Sequence, residues 1–162
     1  RRSRPRGRRG DPAPAPRRAA AIAAALPEDA AIELVAAPAV GGIIIGFAVA
    51  QALGVKFIFS EREQGVMRFR RAFEVAPGAR VLVIEDVVTT GGSVAEVVGL
   101  VRDGGGVPVA VASLIDRGGP KSFDTPLHPL LRLEVESWEP GACGLCAEGV
   151  PLHSPGSRRT DK

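Results

Sequence analysis

Residues 81–93 read VLVIEDVVTTGGS. Four aliphatic residues end in two adjacent carboxylates, Glu85 and Asp86. The chain then turns through Thr89, Thr90, Gly91, Gly92 and Ser93 into a stretch of helical periodicity. Such a loop can cradle a phosphate. Backbone N–H groups gather at a helix N-terminus, glycines permit close approach, and hydroxyls add donors. It has no lysine and is therefore not the GxxxxGK[ST] nucleotide loop. Phosphate and carboxylate repel, so one ligand that uses both needs a phosphate at one end and hydroxyls or a metal at the other. A ribose 5-phosphate fits, with its phosphate in the loop and its ring hydroxyls on the acids. Taken alone, TTGGS reads equally as a structural turn, and a single acid reads as a solvated strand end or helix cap. The adjacent pair closing an apolar strand favours the ligand.

The elements that must position these groups alternate along the chain. Residues 1–16 are rich in Arg, Pro, Gly and Ala and read as disordered. Residues 17–26 read as a helix stopping at Pro27. Strands are expected at 31–37, 55–61, 81–86, 107–115 and 130–136. Helices are expected at 41–54 and 93–102, the latter with an apolar stripe of Val94, Val97, Val98 and Val101. Residues 61–79 are polar and alternate Arg68 and Arg70 with Met67 and Phe69, as an extended hairpin arm does. Apolar strands separated by helices predict an α/β fold, an open doubly wound parallel sheet of about five strands. The organisation is a segment 1–16, a core 17–137 and a C-terminal tail 138–162 with a CxxC. Ligands of such sheets sit beyond the carboxyl ends of the strands, where Glu85, Asp86, residues 38–42, Glu61 and Asp116 fall.

Charge narrows the partners. Residues 1–18 hold eight arginines against one aspartate, a formal +7 within a whole-chain +3, which leaves the rest at −4. The basic balance belongs to one segment without aromatics, so no nucleic-acid partner is expected. No apolar run approaches the ~18–20 residues that span a bilayer, so no membrane partner is expected and the default location is cytoplasmic. Cys143 and Cys146 make one CxxC, which supplies two of the four ligands structural zinc normally wants. His153 could add a third, but a tail packed on the core is the simpler reading.

VLVIEDVVTTGGS resembles the phosphoribosyl pyrophosphate (PRPP) signature of type I phosphoribosyltransferases. Over residues 30–160 the flanks EREQGVMRFRRAF, ASLIDRGG and CGLCAEGVPLHSPGSR are similar to bacterial orotate phosphoribosyltransferases. The resemblance implies a type I phosphoribosyltransferase-like fold with a flexible arm. It implies transfer of 5-phosphoribosyl from PRPP to orotate, with Mg²⁺ carried mainly by the substrate, in pyrimidine (UMP) biosynthesis. Glu85, Asp86 and Arg62 would be the catalytic set. Glu85 and Asp86 would hold the ribose hydroxyls, and Val87, Val88, Thr89, Thr90, Gly91, Gly92 and Ser93 would enclose the 5-phosphate. Pro38, Ala39, Val40, Gly41 and Gly42 would form the pyrophosphate loop. Thr89 and Arg117 would meet orotate, and no residue would bind a metal directly. Residues 61–73 would be the mobile loop that reaches the partner subunit of a homodimer, with Arg62 on PRPP and Arg68, Arg70 and Arg71 as further basic positions.

The chain departs from that pattern in three places. Relatives often carry a lysine where Gly41 stands, and Ala36 replaces a more usual glycine. Residues 1–16 stand where the family places a helix and hairpin that close over orotate, so the N-terminus reads as truncated or atypical. Two alternatives therefore stay open, a non-catalytic PRPP-binding regulator and a phosphoribosyltransferase for another base.

Overall fold

The structure, a computed structural model, describes residues 14–135, 138 and 140–151. Helix α1 (Pro14–Ala25) opens on a proline, whose fixed φ and missing N–H suit a first helical turn. The chain continues through β1 (Leu34–Pro38), α2 (Gly41–Leu53), β2 (Lys56–Glu63), β3 (Val66–Phe69) and β4 (Arg80–Val88). It ends with α3 (Gly92–Asp103), β5 (Val107–Asp116), β6 (Leu127–Arg132) and the short α4 (Gly144–Ala147). The sheet has six strands in the order β3-β2-β1-β4-β5-β6. The five expected strands are mutually parallel, and the sixth, β3, is the return leg of the arm, antiparallel to β2.

The apolar patterning explains both faces. Ile45, Val49 and Ala50 of α2, with Ala19 and Ile22 of α1, close on Val35, Leu82, Ile84 and Ala112 of the sheet. The valine stripe of α3 closes on Leu34, Ala36, Val81, Val83 and Val111 from the other side. The β1–α2–β2 and β4–α3–β5 crossovers thus cover opposite faces. The strand order reverses between β1 and β4, and this opens a crevice at their carboxyl ends.

Two strand starts differ by three residues from the sequence expectation. Strand β1 begins at Leu34, not at 31, because Glu28–Ala30 form a 3₁₀ turn that leaves Ala31 left-handed at φ 43°. Strand β6 lies at Leu127–Arg132, three residues earlier than expected, with Pro129 inside it. A proline is tolerated there because β6 is the sheet edge. The arm is a tight hairpin in which Glu63 faces Val66 across Gln64 and Gly65, at φ 49° and 83°. Two positive φ values with glycine second are what a two-residue hairpin turn requires.

Leu82 is fully buried, whereas Val66 at the hairpin tip is 51% exposed. Leu82→Ala is expected to lower unfolding free energy by about 2–5 kcal/mol. Val66→Ala should change it by less than about 0.5 kcal/mol. Urea denaturation of both variants checks the pair.

Candidate functional site

The two carboxylates meet the first turn of α2. A Cβ added at Gly41 would lie 2.6 Å from Asp86 Oδ2. One at Gly42 would lie 3.0 Å from both the Ala37 Cβ and the Ile84 carbonyl, and 3.3 Å from Glu85 Oε1. In this chain the acids pack directly against these two glycines, and a side chain at either would require them or their neighbours to shift. The position where relatives often carry lysine is, in this chain, filled by the Asp86 carboxylate. The α2 N-cap, Val40, supplies no side-chain cap, so the positive end of the helix faces this corner with backbone groups alone. Each acid also folds onto the chain after it. Glu85 Oε1 accepts the Asp86 N–H at 3.0 Å, and Asp86 Oδ1 accepts the Val87 N–H at 2.7 Å.

Burial pushes the Glu85 carboxyl up to about 8. The Asp86 N–H opposes the shift, and the Asp86 carboxylate adds to it through a hydrogen bond and like charge. No basic side chain offsets it. The corner is an acid pair short of a cation.

The loop after β4 runs from the acids into α3. Thr89 and Thr90 are exposed, and Gly91 caps α3 at φ 80°. A side chain on Gly91 would overlap the Phe123 ring, so this position needs glycine for both conformation and space. Ser93 opens into a cavity of about 560 Å³ shared with Ala39, Val40, Gly41, Glu61, Arg62 and Met67. This space joins the 38–42 loop, the base of the arm and the start of α3. The Ala39–Val40 peptide bond is cis.

Arg62 is held at that cavity by two contacts. It donates to the Gly65 carbonyl at 2.6 Å and to Glu96 of α3 at 2.7 Å. The Glu96 hydrogen bond comes first among the influences that raise its pKa. The other arm arginines pair within the hairpin. Arg71 makes a two-pronged contact with Glu61 and stacks over Phe59, and Arg70 pairs with Glu63 at 3.5 Å. Arg68 stands opposite Glu61 in the ladder.

Thr89 and Arg117, predicted from distant parts of the chain, line one cavity of about 350 Å³ with Thr90, Gly118, Gly119, Pro120 and Val135. The Arg117 N–H donates to the Val88 carbonyl at 2.9 Å, which extends the β4–β5 ladder past the strand end. The Val88 side chain is buried in the α3-side core and Val87 is 39% exposed. Val88 thus offers the loop no free side chain.

One group was not legible beforehand. Buried Asp116 is bridged by Lys121 at 2.7 Å and Arg132 at 3.1 Å, and it accepts the Gly118 N–H at 3.0 Å. Burial alone would raise its pKa, but these donors hold it below the usual carboxylate range. Asp116 stood out as a strand end. Lys121 had no pattern to mark it.

The C-terminal expectation is corrected. No residue of α4 is buried, so the cysteine-bearing segment does not pack into the core. The Cys146 backbone N–H, then its thiol, lowers the Cys143 pKa, and the Cys143 side chain raises that of Cys146. His153 lies outside the described residues. Among the described residues, no group of three or more His, Cys, Asp or Glu could hold a metal, and no helix is long and apolar enough to cross a membrane.

No family model matches the chain. It is 57% identical over 127 residues to an orotate phosphoribosyltransferase of Carboxydothermus hydrogenoformans, covering 78% of this chain and 66% of that protein, just under two thirds. It is 49% identical over 129 residues to an orotate phosphoribosyltransferase of Caldanaerobacter subterraneus, covering 79% and 68%. Its fold matches the crystal structure of orotate phosphoribosyltransferase from Aeropyrum pernix with a TM-score of 0.62 at 22% identity, over 73% of this chain and 71% of that one.

The raised Glu85 pKa sets a stability trend. Between about 4.5 and about 8 the folded protein binds a proton that the unfolded chain has lost, so stability falls as pH rises through this window. Glu85→Gln removes that loss. Its melting temperature should exceed the parent's by several degrees at alkaline pH, on the scale of about 2–4 °C per kcal/mol, and match it at acid pH. Thermal melts across the range check this.

Proposed function

The chain belongs to the orotate phosphoribosyltransferase family, and from that premise we propose that it transfers 5-phosphoribosyl from PRPP to orotate. The products are orotidine 5′-monophosphate and pyrophosphate, within pyrimidine (UMP) biosynthesis. The observation that carries the reading is the corner between β1 and β4. There an acid pair sits between two backbone-lined loops, each at the start of a helix.

In this reading the 5-phosphate lies on residues 89–93 at the start of α3, and the ribose hydroxyls donate to Glu85 and Asp86. Pyrophosphate lies on residues 38–42 at the start of α2, with Arg62 facing it across the larger cavity. Orotate enters beside Thr89, with its carboxylate on the Arg117 guanidinium, whose planar fork matches it. Orotate N1 forms the new bond at the anomeric carbon as the bond to pyrophosphate breaks, and the bonding pair leaves with pyrophosphate. Positive charge develops on the ribose ring beside Asp86, which stabilises it by position and charge, and beside Glu85, which adds its charge once its proton is lost. Mg²⁺ brought by PRPP would supply charge that offsets the leaving pyrophosphate, with no protein residue needed as a direct ligand. An acid pair without a basic neighbour fits a substrate that brings a divalent cation with it.

The same reading extends to a cytoplasmic homodimer acting on small molecules, not on membranes or nucleic acid. In residues 61–73, Arg62 at the base would stay on its own subunit's cavity while the hairpin tip would close over the partner's site and keep water from the reacting centre. Val40, Ile44 and Phe47, 81%, 74% and 52% exposed, form an apolar stripe beside the pyrophosphate loop that supports association.

Purified protein with PRPP, Mg²⁺ and orotate should consume orotate, followed by its absorbance. Tight PRPP binding without turnover would select a binding-only protein instead, and turnover of a neutral base in preference to orotate would change the acceptor. Asp86→Asn should weaken PRPP binding about tenfold or more by calorimetry. Arg117→Ala should raise the orotate KM by about 10–100-fold, the scale of a lost charge-assisted pair, and leave PRPP affinity nearly unchanged. Equal loss of both would make Arg117 structural.

A further inference from the structure

We propose that Lys121 is a positioning residue that locks the loop after β4 to the loop after β5. It thereby fixes Arg117 relative to Thr89; its consequence for the acceptor rests on the functional reading above.

The contacts are specific. The Lys121 ammonium donates to the Thr89 carbonyl at 2.9 Å, the Gly118 carbonyl at 2.6 Å and the Gly119 carbonyl at 3.1 Å, and it pairs with Asp116 at 2.7 Å. These acceptors come from two loops that form the walls of the 350 Å³ cavity. Gly118 and Gly119 are both left-handed, at φ 76° and 75°. Two such residues in succession turn their carbonyls toward one point, a conformation glycine adopts without strain.

The grip continues residue by residue. The Ser122 N–H and hydroxyl both donate to the Thr90 carbonyl, at 2.8 and 3.1 Å, and Phe123 covers Gly91. Residues 121–123 thus hold 89–91 in register. Lys121 is the member that also reaches the Arg117 side of the cavity.

The lysine side chain is 15% exposed and its aspartate partner 3%. An exposed ion pair contributes little. An enclosed ammonium that satisfies three carbonyls fixes geometry, because its removal leaves them all without that donor. Its charge also cancels Asp116, so the acid next to Arg117 in the chain does not repel a carboxylate-bearing acceptor.

The test uses Lys121→Met, which keeps the length and removes the charge, and the double variant Lys121→Met with Asp116→Asn. The double variant leaves no buried acid without its lysine and so protects the fold. Hydrogen exchange at the amides of Arg117, Gly118 and Ser122 is read without substrate. Orotate and PRPP affinities are read by calorimetry.

In both variants the three amides should exchange about tenfold faster or more, while the core amides stay protected. Orotate binding to PRPP-loaded protein, measured without Mg²⁺ so that no turnover occurs, should weaken about tenfold or more, the scale of a displaced charged hydrogen-bond partner, with PRPP affinity changed less than about threefold. Unchanged exchange, or orotate affinity within about twofold of the parent, overturns the proposal. So does recovery of orotate binding in the double variant, because Lys121 would then be only a counter-charge. If the parent protein itself fails to turn over orotate, the functional reading falls, and the exchange measurement still decides whether Lys121 locks the loops.

Discussion

The site depends on one steric constraint, the meeting of two carboxylates with two glycines between neighbouring strands. Strands β1 and β4 lie side by side, and the chain leaves them for opposite faces of the sheet. Glu85 and Asp86 end up against Gly41 and Gly42, where an added Cβ would press on the Asp86 carboxylate or sit tight against the Ile84 carbonyl. The acids can approach the start of α2 because the helix offers only backbone there. A second helix start lies across the crevice, at the end of the loop that follows the same acids. The crevice therefore has alternating polarity, N–H groups, then carboxylates, then N–H groups, and a ligand with anionic ends and a hydroxyl-rich middle matches it.

Charge is arranged around this corner, not within it. The acids have no basic partner shifting Glu85, whereas Arg62 is committed to Glu96, Arg71 to Glu61 and Lys121 to Asp116. The first joins the arm to α3 and the second the two legs of the arm, while Lys121 also donates to the Thr89 carbonyl and so joins the loop after β4 to the loop after β5. The cations brace the walls, and no basic side chain counters the acid pair. Arg117 fits the same plan, because its backbone N–H is anchored to Val88 and its side chain borders the smaller cavity.

Much of this was legible in the chain because it rests on local patterning. Aliphatic runs located the parallel strands, the valine stripe located α3, and an acid pair before TTGGS marked the crevice corner proposed for ribose phosphate. Boundaries slipped where backbone geometry outweighed hydrophobicity: the left-handed Ala31 delays β1, and Pro129 hid the true start of β6. The steric role of Gly41 depends on Asp86, and the bond from Arg62 reaches Glu96, 34 residues away. Lys121 resembles any loop lysine until the fold brings three carbonyls to it. Contacts between distant segments leave no periodic trace, so pattern reading finds the acids and misses what braces them.

Ser60 belongs to two ladders at once. It is the last residue of β2 to pair in parallel with β1, opposite Pro38, and the first to pair antiparallel with β3, opposite Phe69. It is fully buried, its carbonyl accepts the Ala39 N–H at 2.8 Å, and its hydroxyl reaches the Ala37 carbonyl at 3.4 Å. The arm and the loop after β1 thus share a fulcrum, and Ser60 makes the arm a lever whose short end is the backbone at residues 38 and 39. A displacement of the hairpin would reach that loop through Ser60, where the two ladders meet.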